Sequence, residues 1–287
     1  MSFQGRATFV SAELTPLLER TRLPCRVLSV HERVCNLEVA DHYLVALVAP
    51  EVERGPFHVG LPVSLAFKTW CHPGDHGYVQ QGTLYLPRLV VRCGGARVWT
   101  PYLRPAPVVW ASDVLIRYTR WVLSHHHPPL VTAVEQQVGP VLTRLAREAA
   151  HGLVHFQDEV LVDALERLIG LGPGLTPAGD DVIVGLMAGW YILGRVDDQE
   201  PRRRRLSRRV EELTGRTHRL SQAWLRFACR GAFAEPWHHL ADALSHTDRT
   251  SLLTCLIRLV RQGSTSGYYA LVGFKAIMEA LAADGHP

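Results

Sequence analysis

The chain is organised around a glycine-rich stretch, Gly170-Leu171-Gly172-Pro173-Gly174-Leu175-Thr176-Pro177-Ala178-Gly179-Asp180-Asp181, which runs directly into an apolar segment. Its first ten residues include four glycines and two prolines, which is typical of a tight loop. Thr176-Pro177 predicts a helix start, because threonine is a good N-cap residue and proline fits the first helical position. Gly185 and Gly189 follow in the predicted helix, where a small residue lets a neighbouring backbone come close.

A glycine-rich loop that leads into a helix N-terminus can bind an anion. The first backbone N–H groups of a helix lack intrahelical acceptors and lie at the positive end of its dipole. The stretch matches neither a Walker loop nor a dinucleotide-binding fingerprint, because the required lysine and the required glycine spacing are missing. A tight turn between helices, with Asp180 and Asp181 complementing the dipole, is the alternative interpretation.

A second stretch, Gly263-Ser264-Thr265-Ser266-Gly267-Tyr268-Tyr269-Ala270-Leu271-Val272-Gly273, repeats the pattern of glycines and hydroxyls before an apolar helix. When Gly179 is placed on Gly267, Gly185 falls on Gly273. The two stretches therefore predict two similar helix starts that face one site.

These two stretches carry a family resemblance. The Gly-Leu-Thr-Pro-Ala-Gly-Asp-Asp motif at 174–181, with the later Gly-Ser-Thr-Ser-Gly segment, resembles the third subunit of oxamate carbamoyltransferase, the AllH type. The resemblance is strongest from about Gly170 to Met278 and diffuse before that. Two positions depart from the family pattern: Ala178 replaces a usual serine, and Tyr269 replaces a usual aspartate. The second departure removes any carboxylate role that the family would imply at that helix start.

Composition predicts an ordinary globular protein. The 287 residues are 47% apolar and 20% charged, and the net charge of +4 does not indicate a nucleic-acid partner. Six dispersed cysteines without a C-x-x-C pair favour reduced thiols over a disulfide framework or a zinc module. No signal-peptide pattern and no bilayer-length apolar run are present, so we expect a soluble cytoplasmic protein with no membrane partner.

The pattern of elements predicts an α+β protein with a β-rich N-terminal domain, residues 1–107, and a larger all-helical C-terminal domain, residues 108–287. Proline-rich residues 101–107 form the expected linker. A short helix is predicted at Ser11–Arg22. The expected strands, in a small barrel or sandwich, are 26–30, 34–39, 43–48, 59–67, 83–86, 89–92 and 97–100. The expected helices besides the central one are 112–124, 130–150, 157–169, 217–230, 236–245, 248–261 and 267–283.

Asp180 and Asp181 are the main candidates for chemistry. Adjacent helical residues point about 100° apart, so one carboxylate is expected to face the site while the other supports a loop or cap. The sequence does not decide which. A site carboxylate could act as a general base, a Mg²⁺ ligand or an acceptor for a ureido NH₂ group. No metal ligands are assigned and no cofactor is certain, although oxygen donors of this kind suit Mg²⁺ better than zinc.

The candidate site residues lie on the two helix starts and one further segment. Thr176 joins the two aspartates as a catalytic candidate. Thr217 and Ser221 are spaced to share a helix face and could form a wall of the site, or simply a cap and a surface turn. The expected substrate-binding residues are Gly172, Gly174, Leu175, Gly179, Thr217, Ser221, Gly263, Ser264, Thr265, Ser266, Gly267 and Tyr269.

Two other polar segments are assigned structural roles. Residues 71–77, Cys-His-Pro-Gly-Asp-His-Gly, contain potential metal ligands, but their Pro-Gly core favours a hairpin turn. The arginine run 202–205 lies among acidic residues, which favours a solvated connection or exposed helix face over a polyanion site.

The resemblance implies carbamoyl transfer, in which phosphate attacks the ureido carbon of an oxalurate-like acid to give carbamoyl phosphate and oxamate, or the reverse. It also implies other carbamoyltransferase subunits as partners; a homo-oligomer is equally compatible with the sequence. Two alternatives stay open: a non-catalytic anion-binding or structural subunit, and an enzyme for a different amide or carbamate. Tyr269 predicts a substrate other than oxalurate that is still anionic.

Overall fold

The computed structural model describes residues 2–40, 43–104, 112–127, 138–193, 200–246 and 249–283. The chain divides into two compact units, Met1–Pro101 and Tyr102–Pro287. The first is built on a sheet and the second on helices, so the α+β prediction is confirmed. The predicted domain boundary at 107/108 and residues 105–107 of the predicted linker lie outside the described residues. That boundary therefore stays a prediction.

The first unit consists of a ten-stranded mixed sheet with short helical turns. Its strands are β1 (Phe3–Arg6), β2 (Phe9–Ser11), β3 (Leu23–Val30), β4 (Val34–Val39), β5 (Tyr43–Val48), β6 (His58–Gly60), β7 (His76–Gln80), β8 (Thr83–Leu86), β9 (Leu89–Arg92) and β10 (Arg97–Trp99). Its short helices are α1 (Thr15–Leu18) and α2 (Phe67–Trp70), with a 3₁₀ turn at Ala12–Leu14.

The sheet curls on itself. Its strand order is β1-β9-β8-β7-β3-β4-β5-β6-β2-β10, so β1 lies at one edge and β2 lies next to the other. Only two residues separate β1 from β2 in sequence, and these bond to both ends of the sheet. The Ala7 amide donates to the Arg92 carbonyl at 2.8 Å, and the Thr8 amide donates to the Gly60 carbonyl at 2.9 Å. The two ends of the sheet are therefore brought together by one short segment, as in a barrel.

Two predictions for this unit are wrong in extent. The helix expected at Ser11–Arg22 is a 3₁₀ turn followed by the single turn α1, and Ser11 itself ends strand β2. The strand expected over 59–67 reduces to His58–Gly60, and Phe67 begins α2. Pro62 lies just after His58–Gly60 and has no N–H to donate to a neighbouring strand, so the pairing ends there.

The second unit is helical. Its helices are α3 (Ser112–His125), α4 (Gly139–Val154), α5 (Asp158–Leu168), α6 (Ala178–Leu193), α7 (Glu200–Leu213), α8 (Arg219–Cys229), α9 (Glu235–Leu244), α10 (Arg249–Val260) and α11 (Ser266–Ala283), with a 3₁₀ turn at Thr214–Arg216. The helix predicted over 130–150 falls partly outside the described residues. Within the ranges described, none of the helices is long and apolar enough to cross a membrane.

Helices α6 and α11 form the centre of this unit, and most of their residues are buried. A Cβ atom built on Gly185 would lie 1.7 Å from the Ala270 carbonyl oxygen, and one on Gly273 would lie 2.0 Å from the Val182 carbonyl oxygen. The contact is reciprocal, because each glycine meets the residue three positions before the other glycine. Further along, Gly189 approaches the Ile277 side chain. Contacts advance along both helices together, so α6 and α11 run parallel with their N-termini at the same end.

Candidate functional site

The parallel arrangement of α6 and α11 brings two hydroxyl groups together. Thr176 Oγ1 and Ser266 Oγ lie 3.0 Å apart, across the two helix starts, and both residues are half-buried. The Pro177 carbonyl accepts from the amides of Asp180 and Asp181 at 3.0 and 3.2 Å. Pro177 therefore occupies the N-cap position, so the prediction that Thr176 caps the helix is wrong. The Thr176 side chain instead contacts the other helix start.

Asp180 is held by three hydrogen bonds. Its Oδ1 atom accepts from the Gly170 amide at 2.8 Å, and its Oδ2 atom accepts from the Ser221 hydroxyl at 2.6 Å and from the Thr217 hydroxyl. The side chain is 1% exposed. Hydrogen bonds to a carboxylate stabilise its charged form and are stronger than neutral ones. Asp180 therefore ties the glycine-rich loop to the segment before α8.

Thr217 and Ser221 both contact Asp180, although helix α8 begins only at Arg219 and Thr217 precedes it in extended backbone. Their hydroxyl protons are directed to the carboxylate. The predicted shared helix face is wrong, because Thr217 lies outside the helix, although both hydroxyls contact the same carboxylate. Their direct binding of substrate stays a prediction.

Asp181 has a different environment. It is 8% exposed, the Ser266 hydroxyl lies near its carboxyl group, and its Oδ2 atom is buried without a partner among the described residues. Burial raises the pKa of Asp181 well above its ordinary value of 3.8, and the Asp180 charge raises it further, against the opposing effect of the Ser266 hydroxyl. An unsatisfied buried carboxyl oxygen costs free energy and marks a candidate functional group.

The pKa of Asp181 predicts a specific pH dependence of stability. Folding raises this pKa, so between 3.8 and the raised value the folded protein retains a proton that the unfolded chain releases. The free energy of unfolding should fall across this window as pH rises, by up to about 1.4 kcal/mol per pH unit from this group. Asp181→Asn removes that titration and should gain stability relative to the unaltered protein as pH rises. Denaturant unfolding of both proteins across the window measures the difference, and a difference independent of pH would contradict the raised pKa.

The first-turn amides of the two helices are largely used by the protein itself. The Gly179 amide donates to the Leu171 carbonyl at 2.9 Å, and Asp180 and Asp181 donate to Pro177 as above. At α11, the Gly267 amide donates to the Gln262 carbonyl at 3.0 Å. These amides are not free donors for an anion. The polar groups that the starts of α6 and α11 offer to a ligand are therefore hydroxyls. These hydroxyls lie in the positive electrostatic field of two parallel helix N-termini.

The remaining predicted residues occupy three kinds of position. Gly172, Gly174 and Gly263 have positive φ angles of 113°, 98° and 62°, which glycine adopts at low cost. Gly179 and Gly267 allow close helix packing, since a Cβ on either would lie 1.9 Å from a carbonyl oxygen. Leu175 and Ser264 are exposed, Thr265 is half-buried and Tyr269 is buried in the core.

The described residues do not form a metal centre of the expected kind: no group of three or more His, Cys, Asp or Glu side chains there is arranged to hold an ion. Asp180 already accepts three hydrogen bonds, which leaves Asp181 as a single carboxyl group. This environment does not fit a Mg²⁺ site. The Cys71–Asp75 segment is a turn from α2 to β7 rather than a hairpin loop, and the His72 amide donates to the Asp75 carboxylate at 2.8 Å.

Sequence reasoning missed a group of side chains beside α11. Arg144 and Arg147 of α4, together with Tyr268, help to line a pocket next to Tyr269. The spacing of the two arginines on an amphipathic helix places them on one face, but nothing in the sequence indicates which helix that face meets.

Two protein-family models match the chain, one in each of the two units. The family model described as oxamate carbamoyltransferase subunit AllH matches residues 168–278, which include both helix starts and the Asp180–Thr217–Ser221 contacts. The model for the AllH family N-terminal domain matches residues 6–98, which include nearly the whole curled sheet. The chain belongs to the AllH family. The resemblance predicted from the two glycine-rich stretches is confirmed, and it extends through residues 6–98 of the N-terminal unit.

Membership in the AllH family assigns the chain to a subunit class of a carbamoyltransferase, with other subunits of that enzyme as its implied partners. No solved structure matches the chain significantly. The assignment of roles to individual residues therefore depends on the geometry described above.

Proposed function

We propose that this AllH chain supplies part of a carbamoyl-transfer site, located where α6 and α11 begin side by side. The carrying observation is the polar group Thr176, Ser266 and Asp181, in which two hydrogen-bonded, half-buried hydroxyls lie beside a buried carboxyl group. The substrate is a small anionic ureido or carbamoyl acid, with phosphate as the second reactant. Two parallel helix N-termini favour such anions, and the exposed Ser264 adds a hydroxyl at the same helix start.

The proposed chemistry requires a proton at the leaving nitrogen. A phosphate oxygen attacks the ureido carbon, the bond from that carbon to the oxamate nitrogen breaks, and the nitrogen takes a proton. A carboxyl group with a raised pKa keeps its proton to higher pH than an ordinary aspartate, so it can supply this proton. The phosphate proton then restores the acid, so the reaction consumes no further proton.

Asp181 acts in this scheme through Ser266. Its Oδ2 atom is buried, so the hydroxyl of Ser266 is the group that contacts substrate and passes the proton. Thr176 positions that hydroxyl from the other helix start. Asp180 holds the loop in place and takes no part in the proton transfer.

The proposal is tested by assaying phosphate-dependent formation of carbamoyl phosphate from oxalurate, and the reverse reaction from oxamate. The purified chain is compared with the chain combined with its partner subunits. We expect turnover only in the combined preparation. Position 269 carries a tyrosine where the family pattern has a carboxylate. A panel of other ureido and carbamoyl acids therefore tests whether the enzyme prefers an anionic substrate other than oxalurate. Failure of every acid in the combined preparation would contradict carbamoyl transfer.

A second candidate function is that of a structural subunit without catalytic groups. Asp180 and the Gly179 amide both form hydrogen bonds within the protein itself. These bonds hold the fold, which favours a structural function. The two functions differ in one result: in the assembled enzyme, a structural subunit would tolerate loss of the Ser266 hydroxyl without a change in rate.

A further inference from the structure

The second unit contains a pocket of about 430 Å³ between the start of α4 and the start of α11. From α4 it is lined by Thr143, Arg144 and Arg147, together with the first turn of that helix. From α11 it is lined by Tyr268, Tyr269 and Val272. A volume of this size is typical of small-molecule sites and exceeds that of a simple ion.

The pocket carries uncompensated positive charge. Arg144 pairs with Glu148 at 3.4 Å, whereas Arg147 forms no ion pair with the described residues. Burial lowers the pKa of nearby Lys275, and the charge of Arg147 lowers it further against the opposing effect of Glu279. Arg147 is exposed to solvent, and none of the ion pairs among the described residues involves it.

The lining groups suit an organic anion. Arg144 and Arg147 are three residues apart and share a face of α4, where their guanidinium groups can each donate paired hydrogen bonds to a carboxylate or phosphate. Among the described residues, the N-cap Val138 makes no side-chain cap hydrogen bond at the start of α4, so the helix dipole adds to the attraction for an anion. Val272 and the rings of Tyr268 and Tyr269 provide apolar surface for the body of the ligand.

We propose that this pocket binds a small organic anion, with Arg147 as the principal charge partner and Arg144 as the second. The shared ligand chemistry is a carboxylate or phosphate group on a compact uncharged body. This inference goes beyond the proposed carbamoyl-transfer site, because Thr176, Ser266 and Asp181 do not line the pocket.

Binding of three probes to the full chain tests the proposal by calorimetry: oxamate for carboxylate, methyl phosphate for phosphate, and oxamide as the uncharged analogue of oxamate. We expect at least one anion to bind saturably and oxamide not to bind. Arg147→Gln should weaken that binding at least tenfold, and Arg144→Gln should weaken it in the same direction. Arg226→Gln is the matched control, since Arg226 is exposed and does not line the pocket.

Ser266→Ala separates this inference from the proposed function. Anion binding that depends on Arg147 should persist in Ser266→Ala, whereas the carbamoyl-transfer rate should not. The pocket proposal is overturned if neither anion binds the unaltered protein, or if Arg147→Gln and Arg226→Gln bind the anion equally well. The relative affinities for oxamate and methyl phosphate identify which anionic group the pocket recognises.

Discussion

Asp181→Asn will lower carbamoyl transfer by the assembled enzyme by about a hundredfold or more, while the chain stays folded. Asparagine keeps the shape of the protonated carboxyl group but cannot release a proton. The carboxyl is buried against Ser266, so the variant loses the proton source without opening a cavity. The rate as a function of pH should also lose the limb that reports this acid.

Asp163→Asn is the matched control, because Asp163 lies on the exposed face of α5 and pairs with Arg167 of the same helix at 3.0 Å. It removes one negative charge from the same unit and should leave the rate within a factor of about two, as expected for an exposed charge. Thermal unfolding of all three proteins shows whether the chain is intact. If Asp181→Asn retains the unaltered rate and pH profile, Asp181 has no role in proton transfer and the structural-subunit function gains support.

Gly185→Ala and Gly273→Ala will be strongly destabilising. The Cβ atoms that they introduce would lie 1.7 and 2.0 Å from carbonyl oxygens of the opposing helix, much closer than any real contact. Relief requires α6 and α11 to move apart, and overpacking of this kind typically costs about 1–3 kcal/mol, occasionally more. Because the same two helices hold Thr176 against Ser266, separation should also lower activity in any variant that still folds.

Gly215→Ala supplies the matched control in the same unit, since a Cβ there meets no atom within 4 Å. Chemical denaturation of the three variants and the unaltered protein gives the comparison. Unaltered stability of Gly185→Ala would show that α6 and α11 do not pack at the separation described.

The local pattern of the sequence predicted much of the fold. Strands β8 and β9 begin and end where the alternation predicted, because each is a short run between strong turn residues. The sequence left a barrel and a sandwich open, and it could not decide between them because the curl depends on β1 and β2, two short strands that pair with distant parts of the chain. Strand pairing is set by long-range contacts that a linear pattern does not encode.

The candidate site could likewise be predicted only in part. The internal repeat of Gly185 and Gly273 predicted two related helices, and the structure makes their contact reciprocal. The different environments of Asp180 and Asp181 could not be predicted, because they depend on Thr217, Ser221 and Ser266, which come from two later segments of the chain. Thr176 was assigned to capping because its sequence neighbours suit that role, whereas its actual partner lies ninety residues away.

The central claim is that the paired starts of α6 and α11 contact the substrate through Ser266 and Thr176. A crystal structure of the assembled enzyme with oxamate and phosphate tests this most directly. We predict a polar atom of one ligand within about 2.6–3.2 Å of the Ser266 or Thr176 hydroxyl, the range of a hydrogen bond that supports proton transfer. Ligands bound at the reacting centre with neither hydroxyl in contact would contradict the claim.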